Sequence, residues 1–488
     1  MKSAVEFPYP GNGLVNKYGK RKGSYYTFYP MLGLWKETVG SNDFVDAIEQ
    51  YINDTSRKPI SLYLHFPFCP KQCFFCQCYT VISSNSIQYE QCISYMIREI
   101  DLLTDLFSQL SHRPLIRELH FGGGTPSVIS RKDFDRLIHA LDQLVNFNDL
   151  KTCSIEIDPR NGMSADLLRY YASKGINRIS IGIQDFDPKV QEAINRVNSP
   201  SLVSKMIPDD VRSMFKGLNF DVIFGMPYQT IKSWQKTLKT VAEFRPDRIA
   251  VCTLGHRPDV FKHQHAYGEE TLPSAEDRMH MFVDALNVFC NDEGYELIGI
   301  DHFALPEDEI AVAKREGILE RNANGYTPGW GSNIIGIGPS SEMIVGDYYF
   351  QNFFSLDKYY QAIDQGEFPI QRGLKSSKDD LIRRDLMFNY IINESIDTKY
   401  ISNKWDINFD SYFSKELADL VVFFDDGLVV WDEATIRATN YGRYFQRQLC
   451  EVFDTYVVQE GYKHSRESED GRRSFQRKIL NDVARGKK

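Results

Sequence analysis

The chain is poor in cysteine, with nine among 488 residues. It has no apolar run of about 18 residues, so no membrane-spanning helix is expected. Its opening, MKSAVEFPYPGNGLVNKYGKRKG, lacks the apolar stretch of a secretory signal. Positive charge is in deficit, with a net charge of -9 at pH 7, which argues against a general nucleic-acid binder. No internal repeat or low-complexity tract is present. Together these absences point to a globular protein of the reducing cytoplasm, where a disulfide framework is not expected.

Against that scarcity, four of the nine cysteines fall between Cys69 and Cys78, in HFPFCPKQCFFCQCY. A structural zinc site usually draws its thiols from two separated pairs to close a tetrahedron. Here all four come from one short loop, and Cys76 and Cys78 flank a single residue. Thiolates at such short spacings suit the corners of an iron-sulfur cluster. A [4Fe-4S] cluster on Cys69, Cys73 and Cys76 is therefore expected, with zinc as the alternative. Three ligands leave one iron open to chemistry. Cys78 reads as a nearby thiol, or simply as a small buried residue.

A chain this long predicts more than one domain. Residues 1–60 read as an N-terminal arm with a short helix. From Ser61 apolar runs recur, each followed by a helical pattern: SLYLHF, IRELHF, TCSIEI, RISIGI, FDVIFG, RIAVCTL and YELIGI. They read as parallel strands buried on both faces. Ile93, Met96, Ile97, Ile100, Leu103, Phe107 and Leu110 keep helical spacing after the cysteines. The alternation predicts an α/β class, a parallel barrel or part-barrel over 61–375, with a doubly wound sheet as the rival. Residues 376–488 read as helix, short hairpin and helix, a compact accessory domain of winged-helix type with a charged tail.

In such barrels chemistry gathers at the carboxyl ends of the strands. There the chain places Gly122–Pro126 (GGGTP), Glu156, Gln184 with Asp185, Asp221 with Gly225, and Gly255 with His256. Each alone reads as a cap, a turn or a satisfied polar group. Their recurrence at one end of successive strands points to a site.

LYLHFPFCPKQCFFCQC, ELHFGGGTPS, SIEIDPR, IGIQDFDPKVQEAINR, FDVIFGMPYQT, IGIDHFALPEDEIAVAKREGILERN and CEVFDTY run from about residue 60 to 456. In that order they resemble the oxygen-independent coproporphyrinogen III oxidases, radical S-adenosylmethionine enzymes. The resemblance implies a part-open (β/α)6 barrel with a mostly helical C-terminal domain, and the cluster on Cys69, Cys73 and Cys76. It also implies two S-adenosylmethionine molecules side by side. Tyr63, Phe75, Gly123 and Glu156 match contacts to the first, and Gly124, Thr125, Gln184, Arg196, Asp221 and Gly255 contacts to the second. Gly255 stands where alanine is usual, and Cys78 where many relatives have phenylalanine. The implied reaction uses a 5'-deoxyadenosyl radical to take hydrogen from a propionate, which loses carbon dioxide and becomes a vinyl group. Two such events convert coproporphyrinogen III to protoporphyrinogen IX. A low-potential electron donor such as flavodoxin or ferredoxin, and a monomer, are implied as well.

The chain departs from the family pattern at Tyr25 and Leu305, both in place of arginine, at Ala323 and Asn324 in RNANGYT, and at Glu342 in place of an apolar residue. These positions are expected to surround the substrate, with Tyr63, Glu156, Asn324 and Glu342 nearest the reacting groups. Three readings follow: a divergent coproporphyrinogen dehydrogenase; a paralogue transferring methyl or methylene groups to, or forming C–C bonds on, another substrate; or a haem-binding chaperone.

Overall fold

The structure is a computed structural model describing residues 6–19, 25–54, 58–110, 112–160, 162–329 and 332–457. The chain divides into two compact units. One comprises Gly33–Leu297 and Asp301–Lys375; the other comprises Met1–Leu32, Ile298–Ile300 and Ser376–Lys488.

The first unit is built on a sheet of twelve strands. Its heart is β1 (Ile60–Phe66), β2 (Ile116–Gly123), β3 (Thr152–Ile157), β4 (Arg178–Gln184), β5 (Gly217–Phe224) and β6 (Arg248–Thr253), six successive parallel neighbours. Beyond β6 the short β7 (His302–Ala304) pairs antiparallel, followed by Glu296–Ile298 at the edge. The run YELIGI is thus not a further parallel strand, contrary to its apolar pattern. At the other side β8 (Asn333–Ile337) adds parallel to β1. An antiparallel meander continues through β9 (Glu342–Val345), β10 (Tyr348–Asn352) and β11 (Ile370–Lys375). Among the described residues no pairing joins the two edges, so the barrel stays part-open.

The strands are less uniform than their apolar runs suggest. On β3, Cys153, Ile155 and Ile157 are buried, whereas Thr152, Ser154 and Glu156 are only half-buried. On β5, Asn219, Asp221 and Ile223 alternate with buried neighbours in the same way. Side chains on a strand alternate between faces. One face packs under helices and the other lines a polar lumen. The helices follow local signals. Helix Arg131–Leu141 starts where the Ser130 hydroxyl accepts the Asp133 N–H, and buries Phe134, Leu137 and Leu141.

The second unit packs helices Lys378–Asn393, Thr398–Trp405 and Gln446–Phe453 with a small antiparallel sheet ordered Ser395–Asp397, Thr435–Ala438, Val429–Asp432. Its N-terminal residues pack within it: Tyr18 lies against Phe423 and Phe445, and the Tyr26 hydroxyl donates to Asp454. The charged tail from residue 458 onward lies outside the described residues.

Candidate active site: a cysteine and glycine pocket at the carboxyl ends of the strands

The loop after β1 carries the cysteines, and the loop after β2 carries the glycines. The two are stitched by backbone: Gly124 N–H donates to Phe66 O (2.8 Å) and Thr125 N–H to Phe68 O (2.9 Å). A Cβ on Gly124 would stand 2.5 Å from Phe68 O, and Gly123 has φ +110°. Only glycine fits this approach. The resulting cavity is lined by Cys69, Phe75, Cys73, Cys76 and Cys78, by Gly123, Gly124 and Thr125, and by Glu156, Gln184, Arg196 and Asp221.

Tyr63, Gly255, Asn324 and Glu342 lie elsewhere in this unit. Tyr63 stands beneath the glycines; a Cβ on Gly122 would meet its Cε2 at 2.8 Å and Glu156 Oε1 at 2.9 Å. Gly255 turns its carbonyl to Gln77 (2.5 Å) and Gln264 (2.9 Å), while His263 Nε2 lies 2.6 Å from Cys76 O. That strap was not foreseen. Asn324 lines a second cavity, deeper in the lumen.

Glu342 belongs to a row set by strand register. Tyr63 pairs with His120 on one side and Gly336 on the other. Ile334 opposite Ile344 sets Gly336 beside Glu342, which pairs with Gln351, which pairs with Arg372. Arg372 Nε–H donates to Gln351 Oε1 at 2.8 Å. Burial pushes the Glu342 carboxyl up to about 7, with Arg372 opposing. Glu342 is half-buried, with Gln351 Nε2 3.4 Å from its Oε1.

One departure from the family pattern, Leu305, does not lie where it is expected. Leu305 is buried, its N–H on Asp247 O, at the opposite end of the lumen from the cysteines. Tyr25 belongs to the other unit, where the Arg447 guanidinium lies 4.4 Å over its ring.

The thiols of the loop sit in different electrostatic surroundings. The Cys78 thiol hydrogen-bonds Cys76 and lowers it to about 7. Burial pushes Cys69 up to about 12, with the Thr125 hydroxyl at 3.2 Å opposing. Cys73 faces the guanidiniums of Arg160 (3.2 Å) and Arg196 (3.6 Å). Asp158 and Arg160, in the DPR turn after β3, are functional candidates that sequence reasoning quoted without a role. Their signal was a charged pair at a strand's carboxyl end. Burial raises Asp221. Gln184 Oε1, in a residue at φ +67°, is buried without a hydrogen-bond partner.

These features fit an iron-sulfur cluster with a ligand at its side. Among the described residues no three His, Cys, Asp or Glu side chains converge as a single-ion shell. A cubane needs no such convergence, because its thiolates bind separate irons. The glycine cradle and the orphaned Gln184 oxygen leave polar backbone and side chain for a bound molecule.

The second cavity is lined by Glu118, Arg178, Arg248 and His302 together with Asn322 and Asn324. Glu156, Ser180 and Asp221 border both cavities, so the two are successive levels of one lumen. In the lower level the charges are paired. Arg178 and Arg248 contact Asp308 (3.1 and 2.8 Å) and Glu309 (both 3.1 Å).

A profile for the Radical SAM superfamily matches residues 63–241. Oxygen-independent coproporphyrinogen III oxidase of Escherichia coli (strain K12) is 36% identical over 447 residues, 92% of this chain and 95% of that protein. The protein of that name from Pseudomonas aeruginosa is 34% identical over 451 residues, 91% of this chain and 95% of that one. The solved structure of the radical SAM coproporphyrinogen III oxidase from Escherichia coli superposes with a TM-score of 0.82 at 37% identity, covering 89% of this chain and 98% of that one. No described helix is long and apolar enough to cross a membrane. The cysteine pocket, the part-open barrel and this end-to-end similarity agree: the chain belongs to the oxygen-independent coproporphyrinogen III oxidases, radical enzymes whose cofactors are a [4Fe-4S] cluster and S-adenosylmethionine.

Proposed function

We propose that the protein oxidatively decarboxylates two propionates of coproporphyrinogen III to vinyl groups, giving protoporphyrinogen IX. The observation that carries this reading is the meeting of Cys69, Cys73 and Cys76 with the Gly123–Thr125 cradle at one end of the lumen. Similarity to named coproporphyrinogen III oxidases over 92% of the chain supports it. When bound, the cluster and S-adenosylmethionine would supply the radical that takes hydrogen from a propionate; its carboxylate would then leave as carbon dioxide, with the remaining electron passing to a one-electron acceptor.

The chain's own residues bind, orient and exclude water. Cys69, Cys73 and Cys76 hold the cluster. Tyr63, Phe75, Gly123 and Glu156 serve a first S-adenosylmethionine; Gly124, Thr125, Gln184, Arg196, Asp221 and Gly255 serve a second. Glu156 is steadied for this by Gly123 N–H at 3.1 Å and His120 Nε2 at 3.2 Å. A cationic ammonium beside Asp221 would hold its buried carboxyl ionised. Arg196 suits a carboxylate. Tyr63, Glu156, Asn324 and Glu342 stand nearest the reacting groups. A neutral Glu342 carboxyl would not repel an anionic propionate, and burial keeps it neutral until about pH 7. A small-molecule substrate, a low-potential donor such as flavodoxin or ferredoxin, a cytoplasmic location and a monomeric state complete the reading.

Anaerobically reconstituted protein, incubated with coproporphyrinogen III, S-adenosylmethionine and dithionite, tests it by mass spectrometry. Carbon dioxide loss with vinyl formation is expected. Gain of methyl mass on the macrocycle, or cofactor cleavage without decarboxylation, overturns the proposal.

A further inference from the structure

The Asp158–Pro159–Arg160 turn has no part in the roles above, yet it touches a cluster thiol. Arg160 is locked on Asp158 by Nε to Oδ1 (2.9 Å) and Nη2 to Oδ2 (2.6 Å), and Nη1 donates to Asn195 O (2.8 Å). From this fixed position Nη2 also donates to Cys73 Sγ at 3.2 Å. Arg196 approaches from the other side, with Nη1 at 3.2 Å from Asp158 Oδ2 and 3.6 Å from the same sulfur. The three charged side chains are only 7–12% exposed. The hydrogen-bond partners of the other two thiols are neutral, the Thr125 hydroxyl for Cys69 and the Cys78 thiol for Cys76, and Arg196 reaches Cys76 only through its field. One ligand of three is thus singled out by two guanidiniums and one carboxylate, a net charge of plus one.

Reduction adds one negative charge to a cluster. Donors to a ligand sulfur and nearby positive charge favour the more negative state, and both are recognised means of setting cluster potentials. At a buried site the effect is weakly screened. We propose that Arg160, acting through Cys73, raises the reduction potential of the cluster, and that Asp158 both aims Arg160 and limits the rise. Arg160 is a positioning residue, not a catalytic one. The inference rests on Cys73 being a cluster ligand. The step concerned is the gain of one electron from a low-potential reductant, with no bond made or broken.

The test is an EPR-monitored dithionite titration of the reconstituted full chain. Arg160→Gln should shift the midpoint to more negative potential. Asp158→Asn should shift it the other way, and Arg160→Lys should stay near the parent. General damage to the loop would not produce shifts of opposite sign. Shifts of the same sign, or none, overturn the proposal. If Arg160→Gln takes up no iron, Asp158→Asn decides alone, and a midpoint unchanged or more negative counts against the idea. Loss of iron in both variants also overturns it, since the pair would then hold the loop rather than tune the cluster. Iron analysis of Cys73→Ala separates the underlying assumption: full cluster content there would remove Cys73 as a ligand.

Discussion

The two levels of the lumen each measure about 220 Å³, and their chemistry is opposite. The upper level has a glycine cradle, thiols from one loop and a buried amide oxygen with no partner. The lower level has more charge, but Arg178, Arg248, Asp308 and Glu309 neutralise one another across it. Cavity size therefore does not mark the site. The kind of group does: the upper level offers thiols, a glycine cradle and a free amide oxygen to a ligand, whereas the charged groups of the lower level are spent on one another at the strands' amino ends.

The sharpest break of this comparison comes from the cysteines. Cys69→Ala, Cys73→Ala or Cys76→Ala should each abolish the iron-sulfur chromophore and cofactor cleavage, because two thiolates cannot hold three corners of a cubane. Glu118→Gln in the lower level should keep both. Iron and sulfide assays with anaerobic absorption spectra check this; equal loss in Glu118→Gln would erase the distinction between the levels.

Arg248→Met tests the lower level as structure. Removing one partner of a buried ion pair typically costs about 3–5 kcal/mol. Urea unfolding should show that loss, while the cluster-bearing protein keeps its affinity for S-adenosylmethionine. Acid should act in the same place. Burial raises Asp308, but Arg248 and Arg178 outweigh it and hold its carboxyl below the usual range. The stability it contributes is present above the unfolded value of about 3.9 and is lost as pH falls through the folded value. The parent should lose stability there more steeply than Asp308→Asn.

Glycine substitutions compare the two levels at smaller scale. A Cβ on Gly124 meets backbone, and one on Gly217 meets the Arg178 guanidinium that Asp308 and Glu309 hold in place. Gly124→Ala should destabilise by about 1–3 kcal/mol and weaken cofactor binding. Gly217→Ala should destabilise as well, by displacing that guanidinium, but leave binding unchanged. Calorimetric titration with S-adenosylmethionine separates the two.

The smallest effect is expected at Glu342. Its carboxyl is raised, so its contribution to stability is complete below the unfolded value of about 4.3 and fades as pH rises through about 7. Glu342→Gln should flatten the fall in melting temperature between those limits. An unchanged slope would mean that the carboxyl is hydrated and ordinary.

The cysteine loop was legible because its ligands lie within eight residues and need no tertiary partner. The six parallel strands were legible from their apolar runs, but the runs concealed the lumen. In TCSIEI the polar residues fall on alternate positions and turn inward, so a strand read as buried on both faces has one polar face. YELIGI has the composition of a barrel strand, yet its chain turns back after Ile298 and the next strand pairs antiparallel. The row from His120 through Tyr63 and Gly336 to Glu342 and Arg372 depends on register between strands far apart in sequence. No local pattern announces it. The same is true of Asp158 and Arg160, whose meaning comes from Cys73 87 residues away.

One measurement bears most directly on the central claim: a full balance of the anaerobic reaction with coproporphyrinogen III. Deoxyadenosine, methionine, carbon dioxide and vinyl product are quantified together. The account predicts one deoxyadenosine and one carbon dioxide for each vinyl group formed, and protoporphyrinogen IX as the end product. Deoxyadenosine released without carbon dioxide, or methyl groups transferred to the macrocycle in place of decarboxylation, would contradict it.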